Sequence, residues 1–575
     1  VNLTTIETIQ QATRDSAARL LGVDPASHVP QVRRSTFADF QVNDALSMAR
    51  AAGRAPREIA AILARDLAEC ECVSRAEVSG PGYVNLTLDD GWLLSRLAEL
   101  NTSSAASREG TGRRVVIDYS SPNVAKSMHV GHLRTTVVGD ALANIHEHLG
   151  DEVIRQNHIG DWGTPFGMIL EYLLTDDVDI DRLSQNDVGR LYRVARARFD
   201  ADPAFAEQAK QRVVLLQSGD PTTVTRWKAL VARSVEYFQE QYRELGVGLA
   251  EQDIRGESFY NDDLAAVCGE LEAKGLASLS DGALCAFPRG FIGRDGERLP
   301  LIVRKSDGGY GYAATDLAAI RFRTSELAAD RIVYVVGAPQ RLHFAMLFQT
   351  ALDAGWVQDP DSLRHVEIGN VLGQDGKILK TRSGDAPLLS EALGDAVDAA
   401  ERQLASRADG ADPAMLRRSA HALGIGALKF ADLSTQPGTG YIFDLARMLK
   451  PTGNTGPYVQ YAVVRLRSLR DKTGFAPYEA AIAPVFHSAE ERELGIHLLD
   501  LDQATADARD AGSPALLCDY LVELGRLSNA LYERVSITGD EDADRRRARL
   551  SLFAVTERRL VMGLSLLGID VPEVM

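Results

Sequence analysis

From residue 113 onward the sequence spells out a unit that restricts what the whole chain can fold into. Val115-Val-Ile-Asp-Tyr119 is a short apolar strand, and residues 120–128 are a polar loop. Apolar residues at Leu133, Val137, Val138, Ala141, Leu142, Ile145 and Leu149 then recur at helical spacing, closed by Gly150. Residues 153–159 read as a second strand. Strand, loop, helix and strand in about 45 residues is the βαβ unit of a parallel sheet. A second unit follows much later, with a strand at Arg331-Ile-Val-Tyr-Val-Val-Gly337, a helix over 340–354 and a strand over 366–372. The roughly 170 residues between them are mostly helical and charged, too many for a crossover, and are expected to be inserted subdomains.

The flanks differ in texture. Residues 1 to about 110 mix amphipathic helical patterns, at 44–50 and 59–63, with one strand-like run, Gly80-Pro-Gly-Tyr-Val-Asn-Leu-Thr-Leu88. A polar stretch over 101–112 reads as a linker. Beyond about Leu389 the periodicity is helical to the end, with Leu521, Leu524, Leu527, Leu531 and residues 560–567 on helix faces. The expected fold class is α/β multidomain. An α+β N-terminal domain would span 1–110, a Rossmann-type parallel-sheet domain with insertions and a junction region 111–440, and an all-α domain 441–575.

The charge balance limits the partners. The chain has 575 residues, 63 Lys+Arg against 80 Asp+Glu, and a net charge of −17. That argues against a protein coating nucleic acid through a basic surface, while leaving room for a local basic strip. Cys70, Cys72, Cys268, Cys285 and Cys518 contain no Cys-x-x-Cys, so free thiols in a reducing cytosol are expected rather than disulfides or structural zinc. The first ten residues lack a basic region before an apolar core, and no stretch approaches the roughly 18 apolar residues of a membrane span. A cytoplasmic protein is expected. Val1 is not the usual initiator, which points to a processed or incomplete N-terminus.

The loop and first helical turn, Ser120-Ser-Pro-Asn-Val-Ala-Lys-Ser-Met-His-Val-Gly-His132, carry the candidate chemistry. His129 and His132 are three apart at the helix start, so both imidazoles fall on one face. The unpaired N–H groups and positive dipole end there favour a phosphate. Gly131 leaves the backbone open to close approach by a nucleotide. In isolation, two histidines so spaced are more often ordinary surface or core residues. No carboxylate or third histidine lies nearby at ligand spacing, so no protein metal site is expected.

The surrounding residues extend the pattern. Asp118-Tyr-Ser-Ser-Pro-Asn-Val-Ala-Lys-Ser-Met-His-Val-Gly-His-Leu-Arg134 closely resembles the arginyl-tRNA synthetases, members of the class I aminoacyl-tRNA synthetases. So does Val153-Ile-Arg-Gln-Asn-His-Ile-Gly-Asp-Trp-Gly-Thr-Pro-Phe-Gly167. Tyr312-Ala-Ala-Thr-Asp316, Gln340-Arg-Leu-His343, Gly376-Lys-Ile-Leu-Lys-Thr-Arg-Ser-Gly384, Asn454-Thr-Gly-Pro-Tyr-Val-Gln-Tyr461 and Leu567-Gly-Ile-Asp-Val-Pro-Glu-Val-Met575 continue it in family order.

The resemblance implies an arginine–tRNA ligase of bacterial type. Arginine's carboxylate attacks the α-phosphorus of ATP, giving arginyl-adenylate, and a ribose hydroxyl of the tRNA's terminal adenosine takes the arginyl group. Neither step needs a protein nucleophile, so catalysis is positioning and charge stabilisation. His129, Gly131 and His132 would bind ATP, carried as its Mg2+ complex. The Lys-Met-Ser-Lys-Ser loop usual in class I enzymes is missing, as in bacterial-type members of the family; Asp375-Gly-Lys-Ile-Leu-Lys-Thr-Arg-Ser383 stands in its place. Lys377, Lys380 and Arg382 would supply part of its charge and Lys126 the rest, though each also fits a solvated basic loop. Asp118, Tyr312 and Asp316 would hold the guanidinium, Asn123 and Gln340 the α-amino and carboxylate end, beside His129. Tyr83 and Asn85 would meet the tRNA elbow, and Asn454, Tyr458, Tyr461, Arg465 and Met575 the anticodon region; the tyrosines fit core positions equally well. No other cofactor, no DNA and no membrane are expected, and a monomer is. The family commonly activates arginine only with tRNA bound.

Two departures stand out. Ser383-Gly-Asp-Ala-Pro-Leu-Leu389 replaces the usual Gly-Gly-Thr-Val type of sequence, and Val574 stands where arginine is usual. Rival readings are a duplicate synthetase for antibiotic tolerance or biosynthesis, and a non-catalytic tRNA-binding regulator. From 441 to 475, six basic residues (Arg447, Lys450, Arg465, Arg467, Arg470, Lys472) face two acidic ones, the expected basic track. Arg545-Arg-Arg-Ala-Arg549 reads as a solvated helix face.

Overall fold

The N-terminal hundred residues hold more strand than the periodicity suggests. The computed structural model describes residues 4–22, 24, 28–102, 111–180, 185–380, 386–406, 412–475, 485–535 and 537–575. In chain order come α1 (Thr5–Leu21), β1 (Val32–Arg34), β2 (Phe40–Val42), α2 (Asp44–Ala52), α3 (Pro56–Leu67), β3 (Val73–Ser79), β4 (Tyr83–Leu88) and α4 (Asp90–Thr102). The four strands make an antiparallel sheet in the order β1-β2-β4-β3. Only β4 was legible: β1 and β2, three residues each, are too short to show alternation, and the seven-residue β3 is polar along most of its length. Most of the linker-like stretch, residues 103–110, lies outside the described residues, as does Val1.

Next come β5 (Arg114–Asp118), α5 (Val130–His148) and β6 (Glu152–Gln156), the expected βαβ unit. The insertion contains α6 (Thr164–Thr175), α7 (Gln185–Ala201), α8 (Pro203–Gln217), α9 (Pro221–Leu245) and α10 (Leu264–Ala273). It also holds an unexpected three-stranded antiparallel sheet of β7 (Ala277–Ser280), β8 (Ala283–Ala286) and β9 (Leu301–Arg304). After α11 (Tyr312–Ser325), the second unit is β10 (Arg331–Gly337), α12 (Arg341–Asp353) and β11 (Leu363–Ile368). The strand expected over 366–372 is therefore two. At residue 369 the chain leaves the sheet, its N–H donating to Pro437 O at 2.9 Å, and β12 (Val371–Leu372) pairs in parallel with β13 (Tyr441–Ile442). Between them lie α13 (Leu389–Ala405) and α14 (Pro413–Leu433); α15 (Leu445–Met448), α16 (Gly456–Thr473), α17 (Ala489–Leu499), α18 (Leu501–Ala511), α19 (Ala515–Arg534) and α20 (Ala543–Leu566) complete the chain.

Contacts gather these elements into two units. One takes residues 1–108, 458–507 and 516–564, the other 109–457, 508–515 and 565–575. In the first, Arg492 of α17 donates to both carboxylate oxygens of Asp39 at 2.8 Å and to Asp90 at 2.6 Å, and Leu521, Leu524 and Leu531 of α19 are buried. In the second, the parallel sheet runs β11-β10-β5-β6. α5 lies close on it because Gly139 has no side chain: a Cβ there would come within 2.2 Å of Tyr119. The two βαβ halves diverge from the neighbouring strands β5 and β10, and the carboxyl ends of such a divergence form the natural crevice of an open parallel sheet. Among the described residues no helix is long and apolar enough to cross a membrane.

Candidate active site

The loop after β5 is held in a strained shape at that crevice. Ser120, Ser121 and Ala125 have φ of 73°, 48° and 59°, left-handed values that cost a non-glycine residue about 1–3 kcal/mol each. Buried hydrogen bonds hold it so. Ser120 Oγ bonds Tyr242 OH at 2.8 Å, Ala125 N–H donates to Ser234 Oγ at 3.1 Å, and Met128 N–H to Tyr237 OH at 3.0 Å. All three partners lie on α9, so part of the insertion is scaffolding for the loop. Asn123 and Lys126 end up exposed, with Lys126 Nζ 4.5 Å from the centre of the Tyr192 ring.

His129 is the N-cap of α5 rather than a helical residue. Its Nδ1 accepts from Gly131 N–H at 3.1 Å, and Nδ1 of His132 accepts from His129 N–H at 3.1 Å. The ring centres are 4.0 Å apart. Because each Nδ1 is an acceptor, each neutral ring carries its proton on Nε2, leaving two donors for a ligand. Burial, then the charges of His129 and Lys126, push His132 down to about 3; burial and Lys126 lower His129 as well. Both imidazoles are thus neutral donors. Gly131 serves the histidine directly: a Cβ there would meet His129 Nδ1 at 2.9 Å.

A cluster of carboxylates, only one of them expected, lies in the same crevice. Asp316 on α11 bonds Nε2 of His343 at 2.7 Å and stands 3.9 Å from Nε2 of His158. Asp161 is buried and takes two hydrogen bonds from Ser258, at 2.8 and 2.6 Å. Glu257 interacts with both: burial, then the charges of Asp161 and Asp316, push its carboxyl up to about 8. Burial of its ring, then the nearby Glu257 carboxyl, push the Tyr312 phenol up, and Tyr192, the residue under Lys126, lies within electrostatic reach of it. Three acidic groups, one of them holding its proton to about 8, suit a cationic ligand. His158, Asp161 and His343 stand in motifs quoted above without a role of their own, and Glu257 stands in none, because only the fold brings the four together.

Asp118 is already partnered. Its Oδ2 accepts from the fully buried Arg323 of α11 at 2.7 Å, and Arg323 Nε donates to Gln156 at 2.6 Å. Where the sequence suggests a carboxylate waiting for a ligand's guanidinium, the structure supplies a resident one. Gln340 is exposed at the start of α12, beyond β10.

The basic loop is pinned at both ends. After β12, Leu379 N–H donates to Val371 O at 3.0 Å, and Gly373 N–H to Lys377 O at 2.8 Å, leaving Lys377 and Lys380 exposed. Past the loop, Val130 N–H donates to Pro387 O at 3.0 Å and Leu389 N–H to Met128 O at 2.9 Å. The returning chain therefore lies against the histidine turn. Arg382 and residues 383–385 of the departure noted above lie outside the described residues.

Tyr83 and Asn85 share the half-exposed face of β4, so Tyr83 is not core; Asn85 Oδ1 accepts from Gln41 at 2.9 Å. Asn454 and Tyr461 are exposed, while Tyr458 and Met575 are half-buried. The basic track is more neutralised than its composition implies. Arg465 lies 4.0 Å over the Tyr532 ring and donates to Asn529 and Glu533, while Arg467 and Arg470 share Glu557. Nor is the second cluster a solvated face: Arg545 and Arg549 both bind Asp540, and Arg549 also binds Glu491 at 2.8 Å. Near the C-terminus, the backbone N–H of Glu573 and of Val574 donates to Ser419 Oγ.

Comparison with known proteins agrees with this arrangement from end to end. Residues 5–88 match the arginyl tRNA synthetase N terminal domain, 95–445 the catalytic domain of tRNA synthetases class I (R), and 459–575 the DALR anticodon binding domain. The arginine–tRNA ligase of Thermobifida fusca is 49% identical over 552 residues, 95% of each chain. That of Pseudomonas syringae pv. tomato is 42% identical over 99% of each. The crystal structure of arginyl-tRNA synthetase from Plasmodium falciparum superposes over the full length of both chains with a TM-score of 0.85 at 25% identity. With family matches along nearly its whole length and close relatives covering almost all of it, the chain belongs to the arginyl-tRNA synthetase family of class I.

Proposed function

We propose that this arginine–tRNA ligase activates its amino acid in the crevice at the carboxyl ends of β5 and β10, with arginine recognised by the acidic cluster. The ligase activity follows from family membership. The observation that carries the location is the set Asp161, Glu257 and Asp316, reached through Tyr312 and Tyr192 from Lys126 beside the paired histidines. Asp316 and Glu257, with the Tyr312 hydroxyl, hold the guanidinium; Asn123 and Gln340 orient the α-amino and carboxylate groups. Asp118 acts by fixing the buried Arg323 of α11. ATP arrives as its magnesium complex. The Nε2–H groups of His129 and His132 donate to it as charge develops, and Lys126, Lys377 and Lys380 neutralise the phosphates. Binding and orientation do most of the work, since the substrates carry their own nucleophiles.

The remaining assignments extend that reading. The three-domain division at about 110 and 440 has support in the spans of the three family matches. Tyr83 and Asn85 are proposed to meet the tRNA elbow, and Asn454, Tyr458, Tyr461, Arg465 and Met575 the anticodon region. The enzyme is proposed to work as a cytoplasmic monomer.

Glu257 gives the test. At neutral pH its carboxyl holds a proton that an incoming guanidinium must displace, so arginine binds better as pH rises. The KM for arginine should fall about tenfold per pH unit up to about 8 and flatten above. Glu257→Gln should remove the slope. Steady-state aminoacylation from about pH 6.5 to 9 reads it, and a flat arginine KM in the unmutated enzyme would exclude Glu257 from the pocket.

A further inference from the structure

Outside the crevice, the pair of side chains whose chemistry the ligase reaction does not use is Cys70 and Cys72. Their sulfurs stand 3.0 Å apart, in the turn from α3 to β3. Val73 N–H donates to Cys70 O at 2.9 Å, which closes the chain over Cys70-Glu71-Cys72, and Asp89 N–H donates to Cys72 O at 3.0 Å, which fixes Cys72 beside the end of β4. The hydrogen-bonded turn thus folds both side chains to one side. A disulfide needs its sulfurs at about 2.05 Å, so closing the bond takes roughly 1 Å of movement in a turn already bent for it.

The two thiols are not equivalent. Of the five cysteines, Cys70 alone is partly exposed; Cys72 is fully buried, as are Cys268, Cys285 and Cys518. Hydrogen bonding with Cys72 draws the pKa of the Cys70 thiol down to about 6, while burial pushes those of Cys268, Cys285 and Cys518 up. Thiolate character and access together select the sulfur an oxidant reaches first. Cys72, behind it and out of solvent, is placed to resolve the product.

We infer that Cys70 and Cys72 form a peroxide-responsive dithiol, with Cys70 the attacking and Cys72 the resolving sulfur. The Cys70 thiolate attacks one peroxide oxygen; the O–O bond breaks, and the departing hydroxide takes a proton to become water, leaving Cys70 as sulfenic acid. Cys72 sulfur then attacks Cys70 sulfur. The S–O bond breaks and hydroxide leaves with the Cys72 proton as a second water. Two thiols lose two electrons to one peroxide, and a dithiol reductant returns them by exchange. A bridge across a single intervening residue closes a small ring, the strained kind that reduces readily, so the reduced form prevails in a reducing compartment. The chemistry stands independently of the ligase assignment.

The whole protein, freed of reductant, is exposed to equimolar hydrogen peroxide, blocked with an alkylating agent and digested with trypsin. The peptide Asp66–Arg75 contains both cysteines. It should lose two hydrogens, escape alkylation, and regain both alkylation sites after dithiothreitol. Cys72→Ser should instead accumulate sulfenic acid at Cys70, trapped by dimedone, whereas Cys70→Ser should leave Cys72 reduced. Direct passage of Cys70 to sulfinic acid in the unmutated chain, or oxidation of Cys285 at a matching rate, would overturn the proposal. Because the readout is mass and not charging, it stays separate from any failure of the ligase assignment.

Discussion

Replacing His132 by alanine is expected to slow arginyl-adenylate formation by about 10²–10³-fold, the scale of losing one preorganised donor to a developing charge. His132 Nδ1 is occupied by the His129 N–H, so the ring has one fixed orientation and its Nε2 proton one direction to point. Such a donor strengthens its bond only as charge gathers on the reacting phosphate, so the loss should fall on kcat rather than on the KM for ATP. The neutral state is secured too. Protonation of this ring, opposed by burial, begins only well below the ordinary imidazole value of 6.5, so the donor persists across the working range. ATP–pyrophosphate exchange with tRNA present measures the rate, and filter binding measures tRNA affinity, which should barely change. A large loss of tRNA binding would show that His132 supports the fold instead.

Arg323→Met should destabilise the enzyme by about 3–5 kcal/mol, because it leaves a buried carboxylate without its partner. Arg323 is fully buried, Asp118 nearly so, and the 2.7 Å bond joins α11 to the end of β5. Asp118 would then either bear an unpaired charge or take up a proton, and Gln156 would lose its donor as well. Adding Asp118→Asn removes that charge, and the double variant should recover most of the loss; swapping a whole buried pair for neutral groups is often close to neutral. Urea unfolding reads both. A loss below about 1 kcal/mol in the single variant would mean that Asp118 is free to bind substrate directly.

Much of the molecule was readable because its signals are local. The apolar run at 115–117, the helical spacing from Leu133 to Leu149 and the mirrored unit near 331 each lie in one short stretch, and they give the parallel sheet without any tertiary knowledge. The histidines were readable for the same reason. What stayed hidden depends on distant contacts. Glu257 sits in an unremarkable polar segment and becomes an acid with a raised proton affinity only where the insertion lays it against Asp161 and Asp316. Arg323 looks like any helical arginine until its helix buries it against Asp118. The six arginines and lysines near residue 460 look like a basic surface, yet Glu533 and Glu557, far along the chain, take up half of them. At Gly131 the fold adds a reason for glycine that the sequence does not show, since a Cβ there would meet the His129 ring.

The central claim is that this crevice selects arginine by its guanidinium. Aminoacylation of purified tRNA with arginine, lysine and citrulline, each in turn, tests it. Citrulline has the shape of arginine but sets a carbonyl oxygen where a donor must face the carboxylates, and a site built to pair with a donor rejects such an analogue by about 10⁴–10⁵. Charging by arginine, with lysine and citrulline at background, is the predicted result; charging by lysine or citrulline in its place, or by none of the three, would contradict it.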